Sequence, residues 1–296
     1  NGHIIPALLA GNTVIFKPSE LTPKVAELMQ TFWHDAGLPK GVLNLIQGSK
    51  DAGIHIVEHK EIDGIFFTGS SNTGLNIATS LNKYPHRIIA LEMGGNNPLI
   101  IDDIDGKNIE AAVYNTIQSG FITAGQRCTC ARRLIIIRNK NNENFVQALI
   151  ESTKKIKVGE YNESPEPFIG PVVSNKAANN IIDAVQDLIN DGAKQLVGIN
   201  RLDPKLAFLT PGILDVTNIK KRVDQEIFGP VMKLTWVNNL EEAIVEANST
   251  EYGLSAGIFT DNEANYELFF SRIRAGIVNW NKPLTGASSS APFGGI

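Results

Sequence analysis

Two side chains of this sequence could act together on a carbonyl carbon: a thiol at position 128 and a carboxylic acid at position 92. Cys128 closes the segment GQRC (125–128), and Glu92 lies in the segment LEMGG (91–95), 36 positions earlier. A thiolate adds to a carbonyl carbon, and a carboxylate can take a proton from the water that hydrolyses the resulting thioester. The two residues therefore predict covalent catalysis, provided that the fold brings both groups to one point.

Both residues also have structural interpretations. Burial as a small packing group is the usual fate of an intracellular cysteine. Because an ordinary thiol is largely un-ionised at neutral pH, Cys128 needs nearby dipoles or charges that favour the thiolate. Cys130 points elsewhere in any regular structure, so we interpret it as structural. Glu92 follows a predicted strand and could instead be a solvated strand-end acid.

The segment FTGSSNTG (67–74) is a candidate site for a pyrophosphate. It closes a predicted strand and opens a predicted helix, so backbone N–H groups and the helix dipole would face the space beyond the strand. The candidate ligand-binding residues are Gly69, Ser70, Ser71, Asn72, Thr73 and Gly74. The segment is neither the Rossmann glycine triplet nor a Walker A loop, and a purely structural strand-turn-helix stays an alternative.

Two further pairs could hold the riboses of a dinucleotide. Lys17 and Glu20 follow the first predicted strand, and Glu226 and Phe228 precede a later one. If Lys17 and Glu20 bind a ribose, the carboxylate of Glu20 would repel the extra phosphate of NADP, so NAD would be preferred. The alternatives are an exposed turn with a surface ion pair of little energetic value, and an ordinary loop.

The elements that must position these residues alternate between short β-branched runs and helical patterns, which is typical of parallel α/β sheets. The predicted strands are 12–16, 42–46, 64–67, 87–91, 99–101, 133–137, 231–237, 255–260 and 276–279. The predicted helices include 23–36, 52–59, 70–81 and 175–190. Residues 1–94 are predicted to form part of a doubly wound nucleotide-binding domain, and 95–296 an α/β catalytic domain, with the adjacent glycines 94 and 95 at the boundary.

Composition excludes several classes of partner. The chain of 296 residues is 43% hydrophobic and 20% charged, with a formal net charge of −4 and scattered Lys and Arg residues. No basic stripe is present for nucleic acid, and no apolar run reaches the roughly 18 to 20 residues that cross a bilayer. The two cysteines and five dispersed histidines predict neither a disulfide framework nor a metal site. We expect a reducing, cytoplasmic setting.

The order of these segments resembles the aldehyde dehydrogenase superfamily over essentially the whole chain. The segments that carry the resemblance are ALEMGGNNP (90–98) and AGQRCTCARR (124–133). The resemblance implies that Cys128 is the nucleophile and Glu92 the general base. It also implies that NAD is the cofactor: residues 69–74 would line its pyrophosphate, Lys17 and Glu20 the adenine-side ribose, and Glu226 and Phe228 the nicotinamide side.

A third segment, KPLTGAS (282–288), resembles the anchor loop of family members that take glutamate-derived semialdehydes. The resemblance implies that backbone N–H groups at Gly286 and Ala287, together with the hydroxyl of Thr129, bind a substrate carboxylate. Without the resemblance, a flexible turn rich in glycine and serine would be the simpler interpretation.

The resemblance also implies parts that this chain does not contain. The oxyanion-hole Asn of the family would lie upstream of position 1, and Asn1 does not match it; the final strand, which pairs with a partner subunit, would lie beyond position 296. For the full-length protein we expect a homo-oligomer, a dimer or a dimer of dimers. Two alternatives stay open: a different semialdehyde dehydrogenase of the superfamily, and a non-catalytic fragment or nucleotide-binding module.

Overall fold

The computed structural model describes residues 2–288 and 290–296. The chain divides into two compact units, residues 1–93 and residues 94–296. Each unit is built from helices and mostly parallel strands, so the predicted α/β class is confirmed. The assignment of nucleotide binding to the first unit and catalysis to the second stays a prediction.

The first unit contains two separate pairs of parallel strands, each flanked by helices. Its elements are α1 (Ile4–Leu9), β1 (Val14–Phe16), α2 (Pro23–Asp35), β2 (Leu43–Leu45), α3 (Lys50–Glu58), β3 (Gly64–Thr68), α4 (Ser71–Leu81) and β4 (Ile88–Glu92). Strand β1 pairs with β2, and β3 pairs with β4 in a register that sets Thr68 beside Glu92. The carboxyl ends of β3 and β4 therefore lie next to each other.

The second unit is organised around one larger sheet. Its elements are β5 (Asn97–Ile101), α5 (Ile109–Phe121), β6 (Ala131–Ile137), α6 (Lys140–Lys154), α7 (Asn175–Asn190), β7 (Lys194–Val197), β8 (Gly212–Asp215), β9 (Val231–Val237), α8 (Leu240–Asn248), β10 (Ser255–Phe259), α9 (Glu263–Arg272) and β11 (Ile277–Trp280). In the described residues the strand order is β11-β10-β5-β6-β9-β8-β7, and every pairing is parallel except β7 with β8.

Both faces of this sheet are covered. Leu134 and Ile136 of β6 belong to one apolar cluster, and Ile135 and Ile137 belong to another on the opposite face. Side chains alternate between the two faces of a strand, and a sheet covered on both sides therefore needs continuous apolar runs. The run Leu134 to Ile137 meets that need and fixes β6 at the centre of the unit.

The pairing of β5 with β6 contains a β-bulge. Asn97 lies opposite Ala131 and Pro98 lies opposite Arg133, so the register skips Arg132. Proline has no N–H to donate to the ladder, which is why it is found at strand starts and bulges. A bulge redirects the side chains next to it, and here it lies four residues after Cys128.

The bounds of the predicted strands and helices agree closely with the structure, but two strands were not predicted. The predicted bounds of α7 and β9 are those of the structure, and the other predicted strands overlap β1 to β6, β10 and β11. Strands β7 and β8 were not predicted. In the part of the chain that the structure describes, no helix combines the length and the apolar composition that crossing a membrane requires.

Candidate functional site

Cys128 follows a stretch of strained backbone. Three consecutive residues, Thr123, Ala124 and Gly125, have φ angles of 56°, 54° and 68°. A non-glycine residue in this left-handed region costs on the order of 1–3 kcal/mol, and such residues cluster at active sites, where the surrounding structure holds them. The strain therefore marks this segment as functionally constrained.

Side chains of the same loop hold the strained segment. The carbonyl of Thr123 accepts hydrogen bonds from the backbone N–H of Gln126 at 3.1 Å and from its side-chain amide at 3.2 Å. The hydroxyl of Thr123 accepts a further bond from Nε of Arg127 at 2.9 Å. These bonds fix the direction in which the chain enters the Cys128 turn.

Cys128 and Thr129 are the two central residues of a tight turn. The turn is closed by the N–H of Cys130, which donates to the carbonyl of Arg127 at 3.1 Å. Cys128 is half-buried, Thr129 is buried and Cys130 is completely inaccessible to solvent. Burial raises the pKa of the Cys130 thiol, so Cys130 is a neutral packing group, as its structural interpretation predicts.

Asn97, the first residue of β5, holds the carbonyl side of the turn. Its side-chain amide donates to the carbonyls of Cys128 at 2.7 Å and Cys130 at 2.9 Å, and its oxygen accepts from the N–H of Ser255 at 3.0 Å. Asn97 is only 2% exposed. One buried amide therefore joins the Cys128 turn to β5 and β10, a role that the sequence analysis did not predict.

Arg132, the skipped residue of the bulge, is the second group that the sequence analysis missed. Its guanidinium donates to the carbonyls of Gly125 at 2.5 Å, Arg127 at 3.0 Å and Gly229 at 3.3 Å. Its Nη2 lies 3.7 Å from Oε1 of Glu226. The residue is fully buried, so it links the loop before Cys128 to the loop before β9.

Glu226 and Phe228 lie on that second loop. Oε1 of Glu226 accepts from the N–H of Gly95 at 3.1 Å, in addition to its approach to Arg132. Burial raises the pKa of Glu226, and the positive charge of Arg132 opposes that rise. Gly94 has φ +74°, and a Cβ at that position would collide with Glu226. The Phe228 ring is 44% exposed, with the Arg132 guanidinium 5.2 Å from its centroid.

A buried ammonium group lies behind this loop. Nζ of Lys233 donates to the carbonyl of Gln225 at 2.8 Å and to Oδ1 of Asn96 at 3.2 Å, and Asn96 donates to Asp224 at 2.7 Å. Burial lowers the pKa of Lys233 to about 8. Lys233 is therefore a buried cation that anchors the Glu226 loop from its other side.

In the first unit, Glu92 ends β4. Its carbonyl accepts from the N–H of Gly69 at 3.0 Å, which joins the strand end to the start of the predicted pyrophosphate segment. Burial raises the pKa of the Glu92 carboxyl, and the charge of His3 partly opposes the rise. A raised pKa suits a carboxylate that must act as a base.

The predicted pyrophosphate segment is the N-terminus of α4. Ser70 caps the helix by accepting from the N–H of Thr73 at 3.4 Å, Asn72 and Thr73 are exposed, and the first turn carries no acidic residue. Two of the predicted ligand-binding residues also have structural tasks. Ser71 donates to the carbonyl of Met93 at 3.0 Å, and Gly74 is buried where a Cβ would collide with the Met93 side chain.

The predicted adenine-side ribose residues follow β1. Nζ of Lys17 donates to the carbonyls of Pro18 at 2.7 Å and Gly48 at 2.9 Å, and lies 3.9 Å from Oε2 of Glu20. The Glu20 side chain is 58% exposed. Lys17 thus fixes its loop against the chain before α3, while Glu20 is open to solvent.

The predicted substrate-anchor loop is attached to α5. The N–H of Leu284 donates to the hydroxyl of Ser119 at 3.1 Å, and Leu284 is fully buried. Gly286 and Ala287, which follow this anchor, are exposed. The N–H of Gly286 donates to the carbonyl of Pro283 at 3.5 Å, a long hydrogen bond. The role of both residues in substrate binding stays a prediction.

Within the second unit, the structure connects Cys128, Glu226 and Phe228 through Arg132, which contacts both of their loops. The roles assigned to Lys17, Glu20, Glu92 and residues 69–74 stay predictions. Arg132 and Asn97 could not be found by local spacing. The available signal was Pro98, since a proline next to a predicted strand marks a strand start or a bulge, and a bulge leaves a residue of the neighbouring strand outside the register.

Comparison with known proteins identifies relatives of the whole chain. A model of the aldehyde dehydrogenase family matches residues 1–296. A curated relative, the N-succinylglutamate 5-semialdehyde dehydrogenase of Paraburkholderia xenovorans (strain LB400), is 53% identical over 295 residues. The alignment covers 100% of this chain and 60% of the relative, so the chain spans about 60% of that protein's length.

Two solved structures share the fold at moderate identity. A 1-pyrroline-5-carboxylate dehydrogenase variant from Thermus thermophilus has a TM-score of 0.92 and 30% identity, over 100% of this chain and 58% of that chain. A betaine aldehyde dehydrogenase variant from Staphylococcus aureus, in complex with NAD+, has a TM-score of 0.90 and 33% identity, over 99% of this chain and 59% of that chain.

Proposed function

We propose a function on the premise that this chain belongs to the aldehyde dehydrogenase family, whose model matches it throughout. The full-length protein oxidises N-succinyl-glutamate 5-semialdehyde to N-succinyl-glutamate with NAD, through a thioester on Cys128. The name of the relative at 53% identity supports this substrate. The reaction belongs to arginine catabolism, takes place in the cytoplasm and is carried out by a homo-oligomer, a dimer or a dimer of dimers.

The observation that carries the proposal is the construction of the Cys128 turn. Strained backbone at Thr123 and Ala124 leads into the turn, and the buried side chains of Asn97 and Arg132 hold its carbonyl groups. A thiol that only packs would need neither the strained backbone nor these hydrogen bonds. Cys130, two residues away, is such a packing thiol and is fully buried. The arrangement supports Cys128 as a group whose position matters to chemistry.

The residues present fit NAD at several points. The exposed N-terminus of α4 carries no competing acid and suits a pyrophosphate. Glu20 is open to solvent beside Lys17, as binding to the adenine-side ribose requires. Both contacts of Glu226 use Oε1, so its Oε2 can accept from a hydroxyl of the nicotinamide-side ribose, and Phe228 offers an exposed ring. When bound, NAD accepts the hydride that leaves the substrate carbon.

The chain's own residues carry the covalent steps. The Cys128 thiolate forms a bond to the aldehyde carbon, and the backbone N–H of Cys128 donates to the oxyanion that develops. After the oxidation, the acyl group remains on Cys128 as a thioester. Glu92 removes a proton from the attacking water, the carbon–sulfur bond breaks, and the carboxylate product leaves. Thioester hydrolysis makes the oxidation effectively one-way.

The substrate carboxylate is bound by the Thr129 hydroxyl and by the backbone N–H groups of Gly286 and Ala287. The exposure of residues 286 and 287 just after the buried Leu284 supports this assignment, because a fixed loop then presents its backbone to solvent. Backbone N–H groups in such a loop are suitable donors to an anion.

The proposal is tested by steady-state kinetics on the full-length protein. The succinylated and the free glutamate 5-semialdehyde are compared, each with NAD and with NADP. We expect the highest kcat/KM for the succinylated aldehyde with NAD. Glu20→Gln should lower the ratio of kcat/KM with NAD to kcat/KM with NADP by about tenfold. The substitution removes both the charge-assisted contact with the ribose of NAD and the repulsion of the extra phosphate of NADP.

Glu27→Gln is the matched control for Glu20→Gln. Glu27 lies on α2 of the same unit and, like Glu20, forms an exposed ion pair with a lysine three residues away, in this case Lys24 at 3.1 Å. The control should leave the NAD preference unchanged. Faster oxidation of the free semialdehyde would overturn the substrate assignment, and no reduction of either dinucleotide by any aldehyde tested would overturn the enzymatic function.

A further inference from the structure

We propose that Arg132 is a positioning residue that couples the Cys128 turn to Glu226, so that one buried cation sets both the reactivity of the thiol and the binding of the cofactor. The inference rests on the proposed function for its cofactor part. Its thiol part concerns only the chemistry of Cys128, which can be measured without an aldehyde or a dinucleotide.

The contacts of Arg132 divide between the two loops. Two carbonyls belong to the loop before Cys128, those of Gly125 and Arg127. Gly229 and Glu226, the partners on the other side, belong to the loop before β9. The planar fork of a guanidinium can direct several donors at fixed angles, which the single ammonium of a lysine cannot do. A shift of either loop would therefore be transmitted to the other.

The location of Arg132 at the bulge explains why its side chain is available for this task. In a regular strand, residues 132 and 133 would point to opposite faces of the sheet and both would lie in the ladder register. Pro98 interrupts the ladder, and the register skips Arg132. Arg133, the next residue, is directed to the end of α8 instead, where it donates to the carbonyl of Ala247 at 3.2 Å.

The charge of Arg132 has a second consequence. The guanidinium donates to the Arg127 carbonyl at the start of the Cys128 turn, and a positive charge beside a thiol favours the thiolate over the neutral form. Glu226 opposes this effect because its carboxylate lies 3.7 Å from the Arg132 guanidinium and carries the opposite charge. The balance between Arg132 and Glu226 therefore regulates how readily Cys128 reacts.

The test measures the rate of Cys128 alkylation by iodoacetamide as a function of pH in the full-length protein without ligands. Cys128→Ser gives the background rate of other thiols. Arg132→Gln removes the positive charge, and we expect the midpoint of the alkylation curve to rise by about one pH unit, with a rate near neutral pH lower by about tenfold. Glu226→Gln should move the midpoint in the opposite direction.

Arg132→Lys separates charge from geometry. A lysine keeps the cation, so the alkylation midpoint should stay within about 0.3 pH units of the unmodified protein. It cannot bridge both loops, and we expect the Kd for NAD to rise by about tenfold, since the orientation of Glu226 is lost. If Arg132 were merely structural, both Arg132 variants would have a lower melting temperature. The alkylation midpoint and the Kd for NAD would then not respond differently to Arg132→Gln and Arg132→Lys.

Each outcome decides the proposal. Alkylation curves that coincide for the unmodified protein, Arg132→Gln and Glu226→Gln would overturn it. If Arg132→Gln does not fold, the direction of the shift in Glu226→Gln and the NAD affinity of Arg132→Lys decide it. Failure of the proposed function gives a different result: NAD would not bind even to the unmodified protein, while the opposite alkylation shifts of Arg132→Gln and Glu226→Gln would remain.

Discussion

Two thiols lie two residues apart in this chain, and their surroundings differ. Cys130 is fully buried, and burial raises the pKa of its thiol. Cys128 is half-buried at the centre of a turn whose carbonyls are held by Asn97 and Arg132. Because a thiolate is the reactive form of a cysteine, a cation beside this turn bears on how readily Cys128 reacts. Burial also raises the pKa of the Glu92 carboxyl, the proposed general base.

Glu92→Gln should separate the two halves of the proposed reaction. The amide cannot take a proton from water, so we expect a first turnover at the normal rate, followed by steady-state turnover lower by about 100-fold. Rapid mixing of the full-length protein with aldehyde and NAD, followed by absorbance of NADH, measures both phases. Glu61→Gln, a matched change of an exposed acid in the same unit, should leave both phases unchanged.

The pH dependence of the slow step follows from the direction of the Glu92 pKa. Burial raises this pKa above the ordinary value of 4.5. A general base works in its deprotonated form, so steady-state turnover should fall as the pH drops through the raised pKa. Glu92→Gln should lose this acidic limb. An unchanged acidic limb in the variant, or a slow first turnover, would assign the base to another residue.

At the residue scale, the sequence pattern could identify groups that chemistry requires by type. Cys128 and Glu92 stand in short segments whose composition predicts a nucleophile and a base, and these roles stay predictions. Arg132 and Asn97 could not be predicted in the same way, because their partners lie far along the chain, at Gly229 and Ser255. Before the fold is known, the sequence does not distinguish the buried pair Arg132 and Arg133 from two exposed arginines on a surface.

At the scale of elements, the start of β5 is the support on which the Cys128 turn rests. Asn97 connects three backbone groups that belong to two different segments of chain; its bonds to Cys130 and Ser255 are buried and its bond to Cys128 is partly buried. Removing one partner of a buried hydrogen bond leaves the other group without a partner, which costs about 1–3 kcal/mol. The stability of this junction therefore depends on a single side chain.

Asn97→Ala should destabilise the second unit by about 3 kcal/mol, because the carbonyls of Cys128 and Cys130 and the N–H of Ser255 would all lose their partner. Guanidinium unfolding followed by fluorescence measures the loss. Asn190→Ala is the control, since Asn190 is exposed at the end of α7 and its bond with Gln186 lies in solvent. Equal stability of the two variants would contradict the assigned role of Asn97.

The elements themselves followed from the sequence where periodicity or apolar content is strong. The run Leu134 to Ile137 is apolar throughout, and α7 carries a clear apolar stripe that ends before Gly192. Strands β7 and β8 have four residues each and lie at one side of the sheet. Neither segment was distinguished from a loop by its pattern, and pairing defines both of them: β8 pairs with β9, and β7 pairs with β8.

At the scale of the whole molecule, the second unit buries positive charge in its sheet. Arg132, Arg133 and Lys233 are all buried in the described residues, and the nearby acids include Glu226 and Asp224. Buried charges must be paired and hydrogen-bonded to be tolerated, and removing one partner is strongly destabilising. Lys233 is the member of this group whose charge can be changed by pH within an accessible range.

The stability of the protein should therefore rise with pH in a window that Lys233 defines. Its folded-state pKa of about 8 lies below the ordinary value of 10.5. Between these values the unfolded lysine binds a proton that the folded one has lost, so the free energy of unfolding increases with pH. From about pH 7.5 to about pH 9.5 the unmodified protein should gain about 2 kcal/mol relative to Lys233→Met.

Lys233→Arg provides the control that isolates the proton. Arginine keeps a cation and hydrogen-bond donors for Asn96 and Gln225, but it releases no proton in this range. The free energies of unfolding of Lys233→Arg and Lys233→Met should differ by an amount that is constant with pH, whatever each substitution costs in packing. The free energy of unfolding of the unmodified protein should rise with pH relative to both variants. Denaturant unfolding at a series of pH values measures all three curves. Parallel curves would mean that the buried ammonium keeps its proton throughout and that Asp224 and Glu226 compensate its burial fully.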